Sequence, residues 1–320
     1  MHTIRDIAIS INDHIEIIDL DRIIDAQDLE DKVNDCKKAN RFILLYAIDN
    51  YRRQRDYVEQ VRQTYENFAF TTSGIHDDSQ HISNVDYLSR DSCNPKQPMV
   101  DHTADKLYRF VFLVGQLHGH RWDLLLSMAR KGLLNDTLLS LQNYDHAHSH
   151  LVPKVSRLAD RYEWPEILEL GGYQQQHQVP SPMSLAIAKY NGIVMPTVYQ
   201  DTGCSIISET NIDKGIVYLT EKTWIPIVAE HLPLIQGNAG TTDFLHRLGF
   251  DLRYEGIPEY ENTDHDTITD ICVSLTKKEI KRIYQATEQK RRQNREWAMD
   301  EQNWIDYHVK QLKSFGGPFA

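Results

Sequence analysis

Hydrophobic and polar positions along this chain follow two periods by turns, and their succession predicts an α/β protein. Ile4–Ile11 and His14–Ile18 are rich in β-branched residues and read as strands. Asp25–Ala39 is polar except for Leu29, Val33 and Cys36, whose spacing is helical. Arg41–Ile48 is then a continuous apolar run, the pattern of a parallel strand buried on both faces. Tyr51–Phe68 returns to helix, with Tyr57, Val61 and Tyr65 four residues apart. From Thr71 to Asp105 the chain is rich in Ser, Asp, Asn and Pro and reads as a linker. These features predict an N-terminal α/β domain over residues 1–105.

Residues 106–320 predict a second domain. Tyr108–Gly115 repeats the buried-strand pattern, and Arg121–Lys131 reads as a helix ended by Gly132. Leu133–Leu141, Cys204–Ser208, Ile216–Leu219 and Leu232–Gly237 are predicted strands. Thr220–Glu230 and Thr242–Leu248 are predicted helices, and the polar stretch Tyr144–Pro182 reads as an insertion. Strand, loop and helix in alternation imply a mostly parallel sheet, with ligands at the carboxyl ends of its strands.

Composition narrows the class. With 320 residues, 41% hydrophobic and 25% charged, the chain is globular, and no apolar run reaches membrane-spanning length. The four cysteines form no CxxC pair, which argues against a zinc ribbon and fits a reducing compartment. The first residues lack a basic segment followed by an apolar one, so the expected location is cytoplasmic, or the host cytoplasm for a viral chain. A net charge of −11 weighs against coating nucleic acid over the whole surface. The charge is uneven, however. Residues 1–35 are strongly acidic, whereas Lys277, Lys278, Lys281, Arg282, Lys290, Arg291, Arg292 and Arg295 make one long predicted helix basic.

The most informative segment is Ser208–Gly240. Thr220 can cap the helix that follows, which places Glu221 and Lys222 in its first turn. A helix N-terminus and a lysine together favour a phosphate, and a carboxylate such as Glu221 can accept from two ribose hydroxyls. A structural reading stands beside this one: Glu221 only complements the helix dipole and Lys222 is solvated. Pro226, one turn in, is unusual inside a helix.

Ser208-Glu209-Thr210-Asn211, Thr220-Glu221-Lys222-Thr223-Trp224, Pro226, Gly237-Asn238-Ala239-Gly240 and Leu248-Gly249-Phe250 together resemble the nucleotide-sugar motif of fucosyltransferase-type enzymes. They resemble more closely a group of phage and environmental glycosyltransferase-like proteins. Gly119-His120-Arg121 belongs to the same resemblance, which spans roughly Tyr108–Tyr260. The chain departs from the fucosyltransferase pattern at Thr210, which separates Glu209 from Asn211, and from the closer group at Ile225, before the proline.

The resemblance implies a GT-B-like architecture, two Rossmann-like domains facing a cleft, with C-terminal helices returning toward the N-terminal domain. It implies an inverting, metal-independent glycosyltransferase with no cofactor beyond its GDP- or UDP-linked sugar donor. Donor-binding residues on this reading are Arg121, His120, Glu209, Asn211, Tyr218, Thr220, Glu221 and Lys222. The acceptor is a glycan or hydroxymethylated DNA. Asp49, at the end of a predicted buried strand, is the positional candidate for general base, beside the reading that Asp49-Asn50 simply caps the helix at Tyr51; Asp123 is the alternative. Arg121 and His118 also have structural readings. Two other classes stay open: a non-catalytic nucleotide- or glycan-binding protein, and a metal-dependent hydrolase built on His146, His148 and His150, which alternate as they would on one strand face.

Overall fold

A computed structural model describes residues 4–11, 14–23, 25–46, 51–72, 74–76, 81–83, 102, 105–114, 119–141, 198–209, 212 and 216–314. The chain divides into two compact units: Met1–Arg90 with Asp213–Leu219 and Asp300–Ala320, and Asp91–Ile212 with Thr220–Met299. Each is α/β with a parallel sheet.

In the first unit, strands β1 (Ile15–Asp19), β2 (Phe42–Tyr46), β3 (Phe68–Thr72) and β5 (His81–Ser83) lie side by side in that order, all parallel. Helix α2 (Ala26–Lys38) starts where the Asp25 carboxylate accepts the Asp28 N–H at 2.9 Å, and it buries Leu29, Val33 and Cys36. Helix α3 (Tyr51–Thr64) adds Val58 and Val61 to the same core. The short strand β4 (Gly74–His76) pairs antiparallel with a later segment, β9 (Ile216–Tyr218).

Two expectations fail here. Ile4–Ile11 is a helix, α1, not a strand. Ile4, Ile7 and Ile11 fall at helical spacing while Ile9 is exposed, and Ile7 and Ala8 pack with Leu312 of the C-terminal helix α10 (Glu301–Ser314). Tertiary burial of that face outweighs β-branched propensity. The supposed linker also begins with structure. Phe68 opens β3 instead of closing α3, and β5 lies inside polar sequence that composition alone reads as loop.

In the second unit the sheet order is β10-β8-β6-β7, again all parallel: β6 (Tyr108–Val114), β7 (Thr137–Leu141), β8 (Thr202–Ser208) and β10 (Leu232–Gln236). Helix α4 (Gly119–Arg130) follows β6 and ends with Gly132 in the left-handed region, as its sequence predicts. Helix α5 (Glu221–Val228) precedes β10, and α6 (Thr241–Leu248) follows it. Among the described strands β10 lies at an edge, and its open side is filled. Tyr260 Oη accepts the Ile235 N–H at 2.7 Å, and the Asn262 amide donates to Ile235 O at 3.0 Å. Pro233, which has no N–H, is therefore tolerated.

Helix α7 (His265–Ser274) covers α4, and the basic region forms two helices, α8 (Lys277–Ala286) and α9 (Glu288–Met299), where one was expected. The break is at Thr287, whose hydroxyl donates to Ile283 O at 2.7 Å. Many of the basic side chains have internal partners: Lys277 meets Leu107 O, Lys281 meets Asp105, Arg282 meets Glu279 and Lys290 meets Asp251.

Gly249 ends α6 with φ +112°, and a Cβ there would lie 2.7 Å from Trp297 Nε1. Gly249→Ala combines left-handed strain with a clash, so a loss of about 2–4 kcal/mol is expected in urea unfolding. A loss under about 0.5 kcal/mol would mean that Trp297 moves freely aside.

Candidate functional site

Strand order gives the first pointer. Across the sheet the strands lie in the order β7-β6-β8-β10, so the connections from β6 and β8 leave in opposite directions. The carboxyl ends of β6 and β8 flank that reversal, the place where open α/β sheets bind ligands. The first sheet runs in sequential order and has no such reversal among its described strands.

Polar side chains gather at this edge and bond to one another and to the backbone carbonyls beside them. Arg121, on the first turn of α4, is 1% exposed and donates from Nε and Nη2 to Ser208 O at 3.2 and 3.1 Å. Ser208 Oγ donates to Gln236 Oε1 at 2.7 Å, and Gln236 Nε2 donates to His120 O at 3.2 Å. His120 Nε2 lies 2.8 Å from Glu209 O, an acceptor only, so that nitrogen carries the proton. The ends of β8 and β10 and the start of α4 thus form one hydrogen-bonded circuit.

Glu209, directly after β8, is fully buried. Its carboxylate accepts from Thr220 N at 3.1 Å, Thr220 Oγ1 at 2.6 Å and Thr223 Oγ1 at 2.5 Å. All three donors belong to the start of α5, where Thr220 is the N-cap and its hydroxyl accepts the Lys222 N–H at 3.3 Å. Burial pushes the Glu209 carboxyl up from its usual range, against the downward pull of the Lys222 charge and the threonine donors. A protein carboxylate therefore already sits at the positive end of α5. Lys222 itself is half-buried in the first turn, and its charge is felt at Glu209.

The residues expected from sequence thus separate into groups. Arg121, His120, Glu209, Thr220 and Lys222 come together at one edge of the second sheet. Arg121 and Glu209 are turned inward, closed from solvent. Asp123 is half-buried on α4. Tyr218 lies in β9 and Glu221 opens α5, but their side chains are outside the description. Asp49, His118, Asn211, His146, His148 and His150 lie outside the described residues. Among the described residues no group of three or more His, Cys, Asp or Glu is placed to hold a metal, and no helix is long and apolar enough to cross a membrane.

Sequence reasoning missed Thr223 and Gln236. Thr223 stands three residues after Thr220, on the same face of a helix, which is the usable signal for a shared partner. Gln236 is the polar last residue of an apolar strand, the position that meets the ligand edge of a parallel sheet. No family model, curated protein or solved structure matches this chain.

Proposed function

We propose that this protein is a glycosyltransferase that moves a sugar from a GDP- or UDP-linked donor to an acceptor hydroxyl. The observation that carries this reading is the position of Lys222: a cation in the first turn of α5, beside the reversal point of a parallel sheet. The motif resemblance supplies the substrate class, and a GT-B-like plan of two Rossmann-like domains facing a cleft accommodates the two α/β units. In the proposed reaction the acceptor oxygen attacks the anomeric carbon while the bond to the diphosphate breaks. The acceptor proton passes to a carboxylate, Asp49 or Asp123, and Lys222 meets the charge that develops on the departing diphosphate. The internal pairing of many side chains in the basic helices favours a glycan acceptor over hydroxymethylated DNA, because a phosphate backbone needs several cations within reach.

Lys222→Ala tests this reading. Nucleoside-diphosphate affinity should fall by about ten- to a hundredfold, the worth of one charge-assisted contact, while nucleoside affinity stays unchanged. Equal affinity for the diphosphate in a folded variant would place the phosphates elsewhere. The second reading, a non-catalytic nucleotide- or glycan-binding protein, draws on Arg121 and Glu209 being turned inward. Binding of the donor without release of nucleoside diphosphate, with either acceptor class present, would favour it.

A further inference from the structure

Glu209 is the one fully buried carboxylate that reaches from the end of β8 to the start of α5 among the described residues, and all three of its bonds go to that start. We propose that Glu209 is a positioning residue of the donor site: with Thr220 and Thr223 it fixes the first turn of α5, and so Lys222, without itself touching the donor. This assignment rests on the nucleotide-sugar reading and departs from the motif resemblance, which puts Glu209 among the donor contacts.

The geometry supports the assignment in three ways. First, both carboxylate oxygens are engaged: Oε1 accepts from Thr220 N and Thr223 Oγ1, and Oε2 from Thr220 Oγ1. A ribose or phosphate could reach the carboxylate only by displacing these donors from a fully buried position. Secondly, the Thr220 hydroxyl that donates to Glu209 also accepts the Lys222 N–H. The carboxylate therefore orients the group that holds the Lys222 backbone. Thirdly, the Glu209 backbone is itself pinned, its N–H donating to Gln236 O at 2.9 Å and its carbonyl meeting His120 Nε2. The anchor is tied to β10 and α4 before it ties α5.

Thr223→Val is the decisive variant, because it removes one donor while leaving charge and volume nearly as they were. Calorimetric titration with uridine and guanosine diphosphates would be paired with hydrogen exchange of the first-turn amides of α5 in the full chain. Positioning predicts diphosphate affinity about five- to tenfold weaker in Thr223→Val, the ratio that one net hydrogen bond sets. It also predicts faster exchange over residues 220–224, and wild-type affinity in Thr223→Ser, which keeps the hydroxyl. Glu209→Gln added to Thr223→Val should cost less than the two separate losses combined, since both act on one contact. Unchanged affinity in Thr223→Val with a lowered melting temperature would show a merely structural bond and overturn the assignment. Tighter binding in Thr223→Val would show that freeing the carboxylate helps it meet the ligand, and would overturn it too. Absence of diphosphate binding in the wild type would remove the nucleotide-sugar reading together with this assignment, whereas wild-type binding that Thr223→Val leaves intact removes the assignment alone.

Discussion

Glu209→Ala is expected to destabilise the second unit by about 3–5 kcal/mol, the cost of leaving buried polar partners unanswered. The alanine would leave the buried Thr220 N–H and the Thr220 and Thr223 hydroxyls without their acceptor, and it would open a cavity where the side chain had been. In thermal unfolding that is a fall of roughly 10 °C. Glu209→Gln should cost much less, because it keeps the shape and one acceptor oxygen.

The same pair of proteins separates charge from packing by its pH dependence. Burial raises the Glu209 carboxyl above its usual value of 4.5, so on acidification the folded state takes up that proton before the unfolded chain does. The stability this group contributes is therefore fully present below pH 4.5 and declines as pH rises through the raised value. Glu209→Gln lacks the group and should lack this decline. Urea unfolding at a series of pH values from 4.5 upward should show the wild type losing ground relative to Glu209→Gln. Parallel curves would mean that the carboxylate is not buried as described.

Arg291→Ala is the second large effect, also about 3–5 kcal/mol. Arg291 is 3% exposed, donates to Glu230 O at 2.9 Å and Tyr284 O at 2.8 Å, and stands 4.1 Å from the centre of the Tyr284 ring. Its Nη1 lies 3.7 Å from the Glu230 carboxylate, which is itself buried on a residue with φ +56°. Removing the arginine leaves that carboxylate facing Arg295 at 4.0 Å, the longest of the ion-pair distances here. Combining Arg291→Ala with Glu230→Gln should recover part of the loss, since the unanswered charge is then gone. A strictly additive double variant in urea unfolding would contradict this picture.

These two residues show what a sequence yields and what it withholds. Strands β2, β6, β8 and β10 are legible because a parallel strand covered on both faces leaves an unbroken apolar run. Helix α2 is legible from three apolar residues at helical spacing. Helix α1 is not, because eight residues rich in isoleucine satisfy either period, and only packing against α10 decides between them. Strand β5 is hidden by polar composition, its pairing to β3 being a long-range fact. At the candidate site, motif and strand ends locate Glu209, Arg121, Thr220 and Lys222 at one sheet edge. Whether a charge faces ligand or protein has no signature in spacing: Arg121 and Glu209 look like ligand contacts and are turned inward. The basic residues at 277–295 look like a free cationic face, yet Arg291 is buried beneath the helix that carries it.

The proposed function requires a nucleotide-diphosphate site at the start of α5. Its most direct test is calorimetric titration of the intact chain with GDP, UDP and their hexose conjugates in EDTA, beside guanosine and uridine. Saturable binding of one diphosphate and its sugar conjugate is expected, tighter than of its nucleoside, undiminished by the chelator and weakened by Lys222→Ala. Saturation at a hundredfold excess over Kd should also stabilise the protein by about 2.7 kcal/mol. No binding of any of these ligands, or binding that Lys222→Ala leaves unchanged, would contradict it.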